Sequence, residues 1–123
     1  MILKYNIPKQ YKVSTNKIYS GVHRRKRKEI ADFYHLLPLA DCKQLKQITK
    51  KVNLKFEFYF KSRYLDSSNT TFIWKCLEDW LVKWGLLKDD TNKYIWEVSY
   101  QSMQIDKKIR KEMREDYVRI III

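Results

Sequence analysis

Residues 51–60, KVNLKFEFYF, form the clearest strand pattern in the sequence. The apolar side chains of this stretch occupy alternate positions: Val52, Leu54, Phe56, Phe58 and Phe60. Because successive side chains of a strand point to opposite faces of a sheet, a period of two predicts one apolar and one polar face. We therefore expect this strand to place one face in the protein core.

A helix pattern follows the strand. Between residues 70 and 84 the apolar side chains recur every three or four positions, at Ile73, Leu77, Trp80, Leu81 and Trp84. This spacing predicts one buried helical stripe, and Gly85 stands where a helix commonly ends. The helix can be capped by any of four residues that precede it: Asp66, Ser67, Ser68 and Asn69.

Three other segments alternate in the manner of strands: ILKYNIP at 2–8, KYIWEVSYQ at 93–101 and DYVRIIII at 116–123. In the second of them we expect one face to carry Tyr94, Trp96, Val98 and Tyr100. A helix is predicted from His23 to Leu37, where Pro38 ends it, and a shorter one from Asp41 to Thr49. Residues 10–23 read as a loop, and residues 104–115 as a long hairpin connection or a short helix.

The chain of 123 residues can bury one core and is too short for two ordinary domains. We therefore predict a single α/β (α+β) domain over residues 1–123, with a mixed sheet of about four strands and helices packed on it. The N-terminus lacks the apolar core of a signal peptide, and no apolar run could span a bilayer. These features favour a cytoplasmic protein with no membrane partner. Cys42 and Cys76 lack zinc-ligand spacing and read as buried thiols.

The positive charge is confined to one half of the chain. Residues 1–63 contain 16 Lys and Arg against four acids, and residues 64–123 contain ten of each, so the first half carries the whole net charge of +12. The run Arg24–Lys28 begins a helix, where it opposes the helix dipole unless an anion lies nearby. This pattern favours a nucleic-acid phosphate backbone as the partner, and the alternative is a solvated charge run.

Acidic residues flank the central helix. If one strand runs into Asp66 and the Asp89–Asp90 pair enters the adjoining strand, these carboxylates could meet in space. Converging carboxylates repel each other unless a cation lies between them, and Mg²⁺ is commonly held by one or two carboxylates, water and phosphate oxygens. We therefore predict a metal site with Lys75 beside the phosphate. The alternative is that the acids are caps and turns, and that Lys75 pairs with Glu78 and Asp79.

Several of these residues occur together in one known family. The motif LDSSN at 65–69, Lys75, Glu78–Asp79, Gly85 and Asp89–Asp90 resemble the RusA-type Holliday junction resolvases. The segment VSTNKIYSGVHRRKRK at 13–28 is similar to the basic, Asn- and Tyr-containing N-terminal motif of that family. The resemblance spans most of residues 1–100. It implies a homodimeric endodeoxyribonuclease of mixed α/β fold that uses Mg²⁺, or Mn²⁺ as a substitute, to nick four-way DNA junctions in recombination and repair.

Position by position, the resemblance implies catalytic roles for Asp66, Lys75 and Asp90, and metal-ligand roles for Asp66, Asp89 and Asp90. The residues expected to contact DNA are Lys17, Arg24, Arg25, Lys26, Arg27, Lys28 and Asn69. The chain departs from the family at Asp66, because typical members have two aspartates there, separated by one residue. This departure supports a second hypothesis, a junction-binding protein with weak or no catalysis. A third hypothesis is an RNA-binding module that stacks bases on Tyr11, Tyr19 and Tyr64.

Overall fold

Four strands form one mixed sheet in the computed structural model, which describes residues 1–123. The strands are β1 (Ile2–Ile7), β2 (Val52–Tyr59), β3 (Ile95–Ser102) and β4 (Asp116–Ile122), and they lie in the order β1-β4-β2-β3. Strand β4 is antiparallel to both of its neighbours, whereas β2 and β3 are parallel. The helices are α1 (Thr15–Ser20), α2 (Arg24–Leu36), α3 (Leu39–Gln44), α4 (Thr71–Lys83) and α5 (Lys107–Glu112). This architecture confirms the predicted fold class.

The core lies on one face of the sheet. All five apolar side chains of 51–60 are buried, and Phe56 and Phe58 are fully inaccessible to solvent, as the alternation predicts. The apolar C-terminal segment is central in the sheet, where Val118, Ile120 and Ile122 are buried between β1 and β2. Burial of each such side chain contributes about 1.5–3 kcal/mol. The central position also gives β4 a pairing partner on both sides, so this apolar strand has no free edge.

Helices α2 and α4 pack against each other through polar and aromatic contacts. The Trp84 Nε1 group donates a hydrogen bond to the carbonyl of His35 at 2.7 Å, and the His35 ring stacks on Trp80 at 4.7 Å between centroids. Buried Tyr34 donates its hydroxyl proton to the Tyr11 carbonyl at 2.6 Å. These contacts hold α2 in a defined position beside α4.

Three boundary predictions were wrong or incomplete. The supposed loop at 10–23 contains α1, whose first turn is capped by the Ser14 hydroxyl, an acceptor for the Lys17 N–H at 3.2 Å. The short helix expected at Asp41–Thr49 is α3, which begins earlier, directly after Pro38. A proline is tolerated at a helix start because the N–H group it lacks would have no partner within the helix. Residues 107–112 within the 104–115 connection form helix α5.

The expected alternation of β3 is interrupted at its start. Ile95 is buried opposite Val52, but the register then shifts so that Glu97 stands opposite Asn53. The shift leaves Trp96 without a partner residue, and its side chain is 70% exposed. A one-residue irregularity of this kind redirects a side chain that simple alternation would place inward.

Both cysteines are free and buried, as expected, and burial raises the pKa of Cys76 to about 12. No helix combines the length and the apolar character needed to cross a membrane.

Replacement of Gly85 tests the end of α4. Gly85 has φ +86°, a backbone conformation that side-chain-bearing residues rarely adopt, and the following Leu86 and Leu87 N–H groups both bond to the Leu81 carbonyl. Gly85→Ala should therefore lower the free energy of unfolding by about 1 kcal/mol, measured by urea denaturation. Gly21→Ala is the matched control, because Gly21 has a negative φ and a Cβ there would make only ordinary van der Waals contact, 3.7 Å from the Lys17 carbonyl oxygen. Equal effects of the two substitutions would contradict this account.

Candidate functional site on helix α4

Asp66 lies beside the start of α4, at the end of the parallel strands. The Ser102 N–H at the end of β3 donates to the Ser67 hydroxyl at 3.0 Å, so the turn after Asp66 is tied to this edge of the sheet. The Asp66 carbonyl accepts a hydrogen bond from the Asn69 N–H at 2.8 Å, and the Asp66 side chain is exposed.

Asp89 and Asp90 lie in the connection between α4 and the start of β3. The Asp89 carboxylate accepts a hydrogen bond from the Asp90 N–H at 2.8 Å, which fits a turn role for Asp89. Because β2 and β3 are parallel, the end of β2 is next to the end of β3 and not to its start. The expectation that Asp66 and the Asp pair meet by adjacent strand ends was therefore wrong.

Asp90 lies close enough to α4 for its charge to act on Lys75 and Glu78. Lys75 Nζ lies 3.3 Å from Asp79 Oδ1 and 3.8 Å from Glu78 Oε1. Desolvation lowers the pKa of Lys75, but the negative charges of Glu78, Asp79 and Asp90 outweigh it, and the net shift is upward. Asp90 thus acts electrostatically on Lys75 from another part of the chain. We call Lys75, Glu78, Asp79 and Asp90 the α4 charge cluster.

Glu78 is the member that sequence reasoning missed. Its spacing from Lys75 suggested a surface pair, yet Glu78 is only 5% exposed. Burial raises the pKa of this carboxyl, the Lys75 charge opposes the shift, and repulsion from Asp79 and Asp90 adds to it. One signal was present in the sequence: Glu78 follows Trp74 by four residues and therefore shares its helix face. That face is largely covered, since Trp74 stacks on Tyr100 of β3 at 5.0 Å.

The α4 charge cluster offers only carboxylates as possible metal ligands. The buried Glu78 carboxylate has one lysine partner, Lys75, at 3.8 Å, and the charges of Asp79 and Asp90 also act on it. The negative charge around Glu78 therefore exceeds the positive charge. Carboxylate oxygens are the ligands that Mg²⁺ prefers, and one or two of them suffice when water and phosphate supply the rest. No group of three or more His, Cys, Asp or Glu side chains converges closely enough to hold a metal ion. Any Mg²⁺ here would have at most two direct protein ligands.

The basic segments of the first half of the chain, α1 and the start of α2, lie near the start of α4. The Phe72 N–H donates to the Thr15 hydroxyl at 3.0 Å, and the Asn69 side chain accepts from the Asn16 N–H at 3.3 Å. Phe72 also contacts the exposed Tyr19 ring edge to face at 6.2 Å, and the Arg27 guanidinium lies 5.9 Å from that ring. These contacts place Lys17 of α1 and the first turns of α2 on the same side of the molecule as the α4 start.

Most of the positive charge at the start of α2 is not neutralised within the protein. Lys26 pairs with Glu29 at 3.3 Å and Lys28 with Asp32 at 2.8 Å, as a solvated helix surface would. The three arginines of the run have no carboxylate within the 4.0 Å limit of an ion pair: Arg24, Arg25 and Arg27. Their guanidinium groups remain available to an external anion.

The tyrosines proposed for RNA stacking have different environments. Tyr11 is half-buried and stacks on Phe33 at 4.1 Å, so its ring is already engaged. Tyr64 donates its hydroxyl proton to the Ser102 carbonyl at 3.1 Å, and Tyr19 is mainly exposed. These three rings do not form one continuous stacking surface.

A scan against models of known protein families finds no match to this chain, and a search of the curated proteins finds no relative. The resemblance to the RusA-type resolvases therefore remains a hypothesis, carried by the residues quoted for it.

The burial of Glu78 predicts a specific pH dependence of stability. A carboxyl whose pKa is higher in the folded than in the unfolded protein stabilises the fold below its unfolded pKa, and this contribution is lost as the pH rises through the folded value. Glu78→Gln should therefore raise the urea midpoint at pH 7 in metal-free buffer, with a smaller change at pH 4. Glu29→Gln, on the exposed face of α2, is the control and should give no such gain. A lower midpoint for Glu78→Gln at pH 7 would refute the interpretation.

Proposed function

We propose that this protein is a Mg²⁺-dependent, structure-selective endodeoxyribonuclease of the RusA type, which resolves four-way DNA junctions by paired nicking. The single observation that carries the proposal is the α4 charge cluster: buried Glu78 and its partner Lys75 lie on the helix that the basic segments contact, and the charge of Asp90, from the connection that follows the helix, acts on both. We place this activity in DNA recombination and repair, in bacterial or phage-infected cytoplasm.

Each residue of the cluster has a defined role in this proposal. Asp90 and Glu78 would hold Mg²⁺, with Asp89 supporting the turn that presents Asp90. Asp66, a ligand by the resemblance, is left out of this site because no three such side chains come close enough together to hold a metal ion. Bound Mg²⁺ would supply an activated water and a positive charge for the phosphate under attack. Lys75 would offer a fixed ammonium to a phosphate oxygen, and its raised pKa keeps that group charged at neutral pH.

The unpaired arginines would grip the DNA backbone. Arginine is well suited to phosphate because its planar fork can donate two parallel hydrogen bonds. Lys17, Lys26, Lys28 and Asn69 are proposed to extend this contact along the same side of the molecule. A homodimer would place two equivalent sites around a two-fold axis, which suits the symmetric nicking of two strands.

A junction-cleavage assay tests the catalytic proposal. Purified protein with Mg²⁺ should nick a synthetic four-way junction symmetrically, and Asp90→Asn should lower the rate at least about 100-fold, because a ligand and a charge are lost. Glu112→Gln, an exposed carboxylate on α5, is the matched control and should cleave normally. Absence of nicking with Mg²⁺ and with Mn²⁺, over several junction sequences, would reject the nuclease.

The second candidate function is binding of DNA junctions without cleavage. It is favoured by the absence of a three-carboxylate group together with the single Asp66. It predicts tight, salt-sensitive junction binding with no Mg²⁺-dependent product. The cleavage assay above therefore separates the two functions.

The contribution of the arginines can be measured in either case. The triple substitution Arg24→Ala, Arg25→Ala and Arg27→Ala should weaken junction binding and reduce the slope of log affinity against log salt by about 3, since each lost phosphate contact removes about 0.9. The control removes three lysines from α5: Lys107→Ala, Lys108→Ala and Lys111→Ala. If both triple variants lower the slope equally, the binding depends on total charge and not on the start of α2.

A further inference from the structure

Trp96 forms an exposed aromatic surface away from the α4 charge cluster residues. The side chain is 70% exposed, although Lys51 Nζ lies 3.5 Å from the ring centroid and covers one face. An ammonium over an indole ring is a favourable arrangement that also restrains the ring. The indole therefore still offers a large accessible area to a planar ligand.

The backbone holds this ring outward. The register shift between β2 and β3 places Glu97, and not Trp96, opposite Asn53. Trp96 therefore has no partner residue on β2, while the neighbouring Ile95 is buried in the core. The preceding segment is fixed by the Val52 N–H, which donates to the Tyr94 carbonyl at 2.9 Å. Trp96 thus lies on the edge strand of the sheet, which is paired with β2 on one side only.

Lysines surround the ring and its neighbour Tyr94. Lys88 Nζ and Lys93 Nζ each lie 5.6 Å from the Tyr94 centroid, and Lys51 lies over Trp96. The Ile48 N–H donates to the Leu86 carbonyl at 2.8 Å, which joins the 48–52 segment to the 86–96 segment. We call the resulting surface the Trp96 platform; its residues are Lys51, Lys88, Lys93, Tyr94 and Trp96.

The charge of the platform is not neutralised within the protein. No carboxylate lies within ion-pair distance of its three lysines. Two acidic residues of the same connection have other interactions. The Asp89 carboxylate accepts a hydrogen bond from the Asp90 N–H, and the charge of Asp90 acts on Lys75 and Glu78. Exposed aromatic rings interleaved with free lysines are the combination that binds single strands, through base stacking and phosphate contacts.

We propose that the Trp96 platform binds single-stranded nucleic acid, with an unpaired base stacked on the indole and lysines on the flanking phosphates. A paired base inside a duplex presents no free ring face, so the ligand must be unpaired. An acidic peptide would use the lysines alone and leave the ring unused. This site goes beyond the proposed nuclease, because stacking requires neither Mg²⁺ nor the α4 charge cluster.

Binding of a fluorescent oligothymidylate, measured by anisotropy in EDTA, tests the proposal on the full chain. Trp96→Ala should weaken binding roughly ten-fold, the usual loss when one stacking ring is removed. Trp96→Phe should keep most of the affinity, because a phenyl ring still stacks. Ile109→Ala, an apolar residue of α5 that is 48% exposed, is the control for loss of exposed apolar surface and should bind normally.

A 2-aminopurine placed in the oligonucleotide reports stacking directly. Its fluorescence should be quenched by the wild-type protein and by Trp96→Phe, and not by Trp96→Ala. Equal affinity of Trp96→Ala and Ile109→Ala for the oligonucleotide would overturn the proposal. Competition by polyglutamate as effective as by unlabelled oligothymidylate would also overturn it, since the site would then recognise charge without a base. Failure of the cleavage assay would leave these outcomes unaffected.

Discussion

The parallel pairing of β2 with β3 is the constraint from which the arrangement of the molecule follows. Parallel neighbours cannot be joined by a tight turn, so the chain must cross over the sheet, and α4 makes that crossing. Its side chains Ile73, Leu77 and Leu81 are completely buried on the sheet. The crossing also separates Asp66, at the ends of the strands, from the Asp pair that precedes β3.

The fold places the basic first half of the chain next to helix α4. The basic first half contacts the start of α4 through the Thr15–Phe72 hydrogen bond and the Tyr19–Phe72 ring contact. The α4 charge cluster lies further along the same helix, where Lys75 only partly offsets the carboxylates. Burial raises the pKa of Glu78, so we expect its ionised form to be unfavourable in the fold at neutral pH.

The connection between α4 and β3 contributes residues to two surfaces. Asp90 acts on the middle of α4, whereas Lys88, Lys93 and the exposed Trp96 belong to the Trp96 platform. Asp90 of this connection thus contributes to a carboxylate cluster, and Lys88 and Lys93 contribute to a cationic, aromatic surface. A short segment of mixed charge therefore contributes to two distinct surfaces.

The sequence by itself determined the elements whose signals are local: the alternation of β2, the helical stripe of α4, the glycine that ends it and the basic run of α2. It did not reveal α1, because a single Ser14 cap over six residues is a weak signal. The tertiary structure alone decided the strand order, the burial of Glu78, the approach of Asp90 to Lys75 and the outward Trp96. Each of these depends on residues distant in the chain, such as Val52 and Ile95, whose pairing follows from packing of the whole sheet and leaves no periodic trace in either segment.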